Sequence, residues 1–309
     1  MLRLRKILFP TDFSACAESA FSHAAHLAAG FGAELHVLNV AVPYEADPNN
    51  PMAHYPLHKE DLLTWTDANM GEGQTGLHVV HAQMRVVSPA MGILSYADEH
   101  DIDLIVMGTH GRRGLDRLFI GSVAEEVVRL ATCPVFTVRA RPRPAATPVE
   151  TVHRILVPID YSDSSELSIT YARELAATYH ARIDLLHVIQ EAVLPTTYGV
   201  EPVAVAVPEV VERAREALAD LAAHVPGAPV PAGVHVLIGN PARDIVTFAG
   251  EIGADLVVIA THGLTGIRRL LIGSVTEKVV RMSPCPVFTV KSYGKSLLPA
   301  GVQAAAATH

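Results

Sequence analysis

Two stretches of the chain have residue types and spacing suited to holding an anion. In the first, Gly108-Thr109-His110-Gly111 runs into Arg112, Arg113 and Gly114, and Arg117 leads on to Gly121-Ser122-Val123. In the second, Ala260-Thr261-His262-Gly263 runs into Leu264, Thr265 and Gly266, and Arg269 leads on to Gly273-Ser274-Val275. Gly111 and Gly263 permit positive φ or the close approach of a ligand to bare backbone. A Gly-Ser pair that opens a helix offers unpaired amides, a hydroxyl and the positive end of the helix dipole, which together favour a phosphate. Arg117 and Arg269 occupy aligned places and can reach such a group. Turn geometry alone is the plainer reading of the glycines. An acidic residue accompanies each stretch, Asp12 in "ILFPTDFS" and Asp160 in "ILVPIDYS". Either could cap the following helix, and capping is compatible with ligand contact.

The elements that must position these groups repeat as well. "ILFPTDFS" at 7–14 and "ILVPIDYS" at 155–162 are 148 residues apart. "GSVAEEVVRLATCPVFTV" and "GSVTEKVVRMSPCPVFTV" are 152 apart and share 13 of 18 residues, too many for coincidence. The chain is therefore an internal duplication. Its seam, "RARPRPAATPVET", is rich in proline and small residues, as a stiff exposed linker should be. The domains are expected at 1–143 and 153–293, with a linker at 144–152 and a disordered tail at 294–309.

In the first copy the pattern predicts strands at Lys6–Pro10, "ELHVLNVAV", "LHVVHAQMRV", "DLIVMG" and "PVFTV". Helices fall between them: one capped by Ser14 and ending near Gly30, one at Lys59–Met70, one with Pro89 in its first turn, and one at Ser122–Leu130. The second copy repeats this, with Val234–Leu237 as its third strand and a helix at Ser164–Tyr179. Near-continuous Val/Ile/Leu strands alternating with helices imply a parallel sheet covered on both faces. The expected fold is α/β, two tandem doubly wound five-stranded parallel sheets of order 3-2-1-4-5. Ligands bind such sheets beyond the carboxyl ends of the strands, where the order reverses. In that order strands one and four are neighbours, so Asp12 faces the Gly108 loop and Asp160 faces the Ala260 loop across one crevice each.

The bulk numbers narrow the class. A chain of 309 residues that is 50% hydrophobic and 18% charged suits two packed cores. A net charge of −8 argues against a nucleic-acid partner. No run is long and apolar enough for a membrane span, and the N-terminus reads as a first strand. Cys16, Cys133 and Cys285 have no metal-type spacing and make no disulfide framework, which points to buried thiols in a reducing cytoplasm.

The spacing Gly, two residues, Gly, nine residues, Gly-Ser resembles the ATP-binding signature of the universal stress protein family. Gly108, Gly111, Gly121 and Ser122 match it in full; Gly263, Gly273 and Ser274 match it in the second copy. The resemblance covers nearly the whole chain as two fused domains and implies the Rossmann-like fold of the adenine nucleotide alpha hydrolase group. It implies ATP or another adenine nucleotide as ligand, with or without Mg²⁺, and a regulatory stress-response role with at most slow hydrolysis. By the same resemblance Asp12 and Asp160, with Pro10, Thr11, Pro158 and Ile159 before them, lie by the nucleoside. Val40 and Val188 offer backbone contacts to adenine, and the glycine loops and helix starts hold ribose and phosphates. Ala260 departs from the pattern: its methyl would crowd the ribose or strain the turn, so the second site is expected to be the weaker. The resemblance also implies an intramolecular pseudo-dimer through the fifth strands, or a homodimer.

Several other signals lead elsewhere. "GEGQTG" at 71–76 follows a helix and precedes a strand, the reverse of a dinucleotide fingerprint. There is no Walker-type motif, no assigned general base and no catalytic lysine. His23 and His26 share a helix face without a third ligand, and no carboxylate partner is implied for His110 or His262. Pro43–Leu57 and Glu191–Val207 read as lids or as plain surface loops. The alternative function is a stress protein that binds no nucleotide and acts through protein partners. An adenylating or phosphatase-like enzyme lacks its motifs here, and a phospho-receiver lacks its acidic pair and its lysine.

Overall fold

The computed structural model describes residues 2–42, 59–71, 76–109, 120–139, 152–190, 193–196, 199–202, 208–261, 272–291 and 293–298. The chain divides into two compact units, each described by itself. The first takes in Arg3–Thr151 and Tyr293–Leu297; the second holds Val152–Ser292 with Leu2 and Leu298.

In the first unit the elements are β1 (Lys6–Thr11), α1 (Ala15–Phe31), β2 (Glu34–Ala41), α2 (Lys59–Asn69), β3 (Val79–Arg85), α3 (Pro89–Glu99), β4 (Leu104–Gly108), α4 (Ser122–Leu130) and β5 (Val135–Val138). Pairing is parallel throughout, in the order β3-β2-β1-β4-β5. The apolar runs of β1 and β4 are buried because α1 packs against them. Ser14 caps α1 by accepting from Ala17 N, and Gly32 ends it in the left-handed region at φ 64°. Phe9 and Phe21 fill the core, and Trp65 on α2 stacks on Phe9 with ring centroids 5.9 Å apart.

The second unit runs β6 (Arg154–Ile159), α5 (Asp163–Tyr179), β7 (Arg182–Gln190), β8 (Val193–Thr196), β9 (Gly199–Pro202), α6 (Pro208–His224), β10 (Ala232–Gly239), α7 (Pro241–Glu251), β11 (Leu256–Ala260), α8 (Ser274–Met282) and β12 (Val287–Val290). Its parallel order is β10-β7-β6-β11-β12, the same 3-2-1-4-5 arrangement.

The differences from expectation have local causes. The third strand of the second copy is twice as long as the expected Val234–Leu237. Ala232 and Gly233 have poor strand propensity, but pairing with Ile183 and Asp184 extends the ladder. The antiparallel pair β8–β9 lies inside a segment read only as a lid or loop. His180 ends α5 at φ 56°, where the first copy uses glycine, so the stop carried no glycine signal. Tyr293, expected to end the second domain, and 294–297, expected to be part of a disordered tail, belong to the first unit, and Leu297 is fully buried.

Candidate functional site

The carboxyl ends of β1 and β4 meet as neighbours in the first unit, as do those of β6 and β11 in the second. Asp12 directly follows β1. Its Oδ1 accepts from Ser14 N at 3.1 Å, while Phe13 takes φ 64°. Asp160 repeats this: its Oδ1 accepts from Ser162 N at 3.1 Å and from the Ser162 hydroxyl at 2.6 Å, and Tyr161 takes φ 61°. A bulky residue in the left-handed region is strained, so the turn around it must be over-determined. Both copies place the strain one residue after the aspartate.

The carbonyl just before each aspartate is held by a residue that the sequence reading passed over. Asn39 Nδ2 donates to Thr11 O at 2.9 Å, and His187 Nδ1 lies 2.8 Å from Ile159 O. A carbonyl only accepts, so Nδ1 of His187 carries the hydrogen. The signal that could have found them is a polar residue that interrupts the apolar run near the strand's carboxyl end, immediately before Val40 or Val188. Val40 lies near the end of β2 with its side chain turned towards α3: a Cβ added to Gly92 would lie 3.3 Å from Val40 Cγ1. Val40 therefore has its backbone to offer the crevice.

Gly108 ends β4 and Ala260 ends β11. Gly108 is not in the left-handed region, and a Cβ there would meet Cys16 Sγ at 2.9 Å and Cys16 backbone at 3.1 Å. The methyl direction thus points into the packing of α1 on the sheet. Ala260 is likewise outside the left-handed region, which corrects the expectation that it strains the turn. Where the first copy has Cys16, the second has the smaller Ser164.

Thr109 and Thr261 close the loops from below. Their amides donate to Val138 O at 2.8 Å and Val290 O at 2.9 Å, and their carbonyls accept from Gly121 N at 2.7 Å and Gly273 N at 2.8 Å. With Pro10, Thr11, Pro158 and Ile159 they are buried, so they frame the crevice through backbone. Gly121 and Gly273 are the N-caps of α4 and α8 and provide no side-chain cap. By contrast, Ser14, Ser88, Ser162 and Asn240 cap α1, α3, α5 and α7 through side-chain oxygens. The starts of α4 and α8, with Ser122-Val123 and Ser274-Val275, are thus built differently from the other capped helices. Such ends suit an anion. A Cβ at Gly273 would press on Thr261 O at 3.3 Å.

His110, Gly111, Arg112, Arg113 and Gly114 lie outside the described residues, as do His262, Gly263, Leu264, Thr265, Gly266, Arg117 and Arg269. Among the described residues no group of three His, Cys, Asp or Glu could hold a metal, and no helix is long and apolar enough to cross a membrane.

Comparison with known proteins agrees with this fold. The model of the universal stress protein family matches residues 3–139 and again 151–291. Universal stress protein MJ0531 of Methanocaldococcus jannaschii is 34% identical over 140 residues, covering 44% of this chain and 82% of that protein. Universal stress protein Rv2005c of Mycobacterium tuberculosis is 30% identical over 201 residues, 62% of this chain and 63% of that one. A crystal structure of a universal stress protein from Archaeoglobus fulgidus superposes with a TM-score of 0.60 at 19% identity, covering 93% of this chain and 98% of the other.

Proposed function

The chain belongs to the universal stress protein family, and we propose that each of its two units binds ATP or a related adenine nucleotide as a regulatory ligand. The observation that carries this reading is the contrast in helix caps. The helix that follows each glycine loop, α4 or α8, is begun by glycine without a side-chain cap, whereas Ser14 and Ser162 cap the helices that follow the aspartates. A polyanion supplies acceptors to such an end. In this reading Asp12 and Asp160 face the nucleoside, the backbone of Val40 and Val188 lines the base, and the loops from Gly108 and Ala260 carry the phosphates to Ser122 and Ser274. The donors are mainly backbone amides, so any Mg²⁺ would arrive on the phosphates. No general base has been assigned, so the role is binding and signalling with at most slow turnover. Three buried cysteines outside any disulfide support a reducing, cytoplasmic setting.

The test is mass spectrometry of small molecules released from purified protein, with ATP titration followed by calorimetry. An adenine nucleotide in the released fraction and saturable ATP binding are expected. Absence of both would favour the reading in which the protein acts through partners alone. Trp65 is the only tryptophan, and its ring centroid lies 5.7 Å from that of Phe13, the residue after Asp12. Its fluorescence should therefore respond to the first crevice.

A further inference from the structure

The first unit contains a segment that the duplication does not supply. Tyr293–Leu297 follows the second copy in sequence yet packs within the first unit. Its backbone is bonded to that unit: Lys295 N donates to Thr132 O at 2.7 Å, and Leu297 O accepts from Arg3 N at 2.6 Å. Gly294 has φ +81°, and a Cβ there would overlap the Thr132 carbonyl, so the turn requires glycine. The Lys295 ammonium donates to Asp101 O at 2.6 Å and to Asp101 Oδ1 at 2.7 Å, and lies 2.6 Å from Asp103 Oδ1.

Asp103 explains why that ammonium matters. It is 2% exposed, and its other oxygen accepts from Arg5 N at 2.7 Å and Lys6 N at 2.9 Å. One carboxylate thus joins the start of β1 to the residue before β4. Asp255 does the same in the second unit, accepting from His153 N at 2.9 Å and Arg154 N at 3.1 Å. Asp255 is only half-buried and can keep water, whereas a buried carboxylate needs a counter-ion.

We propose that Tyr293–Leu297 is a strap that completes the first unit, with Lys295 as the counter-ion of Asp103, the carboxylate that pins β1 to β4. The far ends of these two strands carry Asp12 and Gly108, so the strap braces the frame of the first crevice. A chain ending before Tyr293 would keep both repeats and lose this brace.

The experiment is thermal unfolding of the full-length chain followed by Trp65 fluorescence, which reports the first unit. Lys295→Met should lower the Trp65 midpoint by roughly 5–10 °C, because it leaves a buried charge unpaired. Lys295→Arg should restore most of the loss. Asp103→Asn added to Lys295→Met should also recover part of it, since a neutral amide needs no counter-ion. A chain ending at Ser292 should lose at least as much as Lys295→Met. Wild-type midpoints for both Lys295→Met and the shortened chain would overturn the strap. If Lys295→Met fails to fold, the double variant decides: equal failure there overturns the counter-ion role, and recovery supports it.

Discussion

The two ends of each sheet have fared differently in the duplication. At the carboxyl ends the copies agree nearly bond for bond. Ser14 and Ser162 amides reach Asp12 and Asp160 at the same 3.1 Å, and Gly121 and Gly273 amides reach the threonine carbonyls at 2.7 and 2.8 Å. At the amino ends the Asp103 and Asp255 clamps agree, but the chemistry of strand two is inverted. The second residue of strand two's buried core is His36 in the first copy and Asp184 in the second. His36 lies 2.6 Å from Glu34 and bonds the Tyr96 hydroxyl at 2.9 Å. Asp184, fully buried, is met by Arg154 at 2.7 Å, Arg182 at 3.3 Å and His235 at 2.8 Å. Either solution fills the core. The common geometry lies where ligands bind in this fold, and the divergent geometry lies where only stability is at stake.

The largest test of this contrast is to remove one charge from the inverted end. Arg154→Met leaves Asp184 with weaker partners, and a broken buried pair costs about 3–5 kcal/mol. Denaturant unfolding should show that loss. ATP affinity, measured under conditions where the variant is folded, should stay within about twofold. A large loss of affinity with intact folding would mean that the two ends of the sheet are not separable.

Acid should distinguish the copies next. Burial pushes the His36 imidazole below its usual range, against the opposing pull of Glu34. The unfolded chain takes the proton first, near pH 6.5, so this contribution is present above that pH and fades as pH falls towards the depressed native value. Burial pushes the Asp184 carboxyl up, but hydrogen bonds from Arg154 and His235 and the charges of Arg154 and Arg182 outweigh it and hold it below the usual range. Its contribution is present above about pH 4 and is lost as pH falls through the native value. Trp65-monitored unfolding at about pH 5.5 should therefore show a weakened first unit. An unchanged Trp65 midpoint between pH 7.5 and about 5.5 would contradict this.

A smaller effect concerns Gly108. Gly108→Ala should cost about 1–3 kcal/mol by overpacking against Cys16, and Cys16→Ser should relieve part of it. Additive behaviour in that double-mutant cycle would break the pairing of Gly108 with Cys16 and of Ala260 with Ser164. Smallest of all, Ala260→Gly should lower stability by about 1 kcal/mol and leave ATP binding at the second unit unchanged.

The sequence was most informative where a residue's role is local. Ser14 as a cap, Pro89 in a first helical turn, and the buried apolar strands could all be read directly, because capping, φ restriction and burial on both faces act within a few residues. The repeat then doubled every such inference. What escaped depends on partners distant in sequence. Asn39 and His187 matter because a carbonyl 28 residues away lies beside them. Gly108 looked like a turn glycine, and only the position of Cys16 on α1 shows that packing excludes its side chain. Lys295 had no signal, since its partner lies 194 residues upstream.

The central claim is that each unit carries its own nucleotide crevice, closed at the glycine-capped helix. Its most direct test is calorimetric titration of ATP into the wild-type chain and the Gly121→Val and Gly273→Val variants. One nucleotide per unit is expected in the wild type. Each variant should lose its own site by on the order of 100-fold, about two hydrogen bonds to a charged group, and keep the other. Wild-type affinity and stoichiometry in both variants, or no binding by the wild type, would contradict the account.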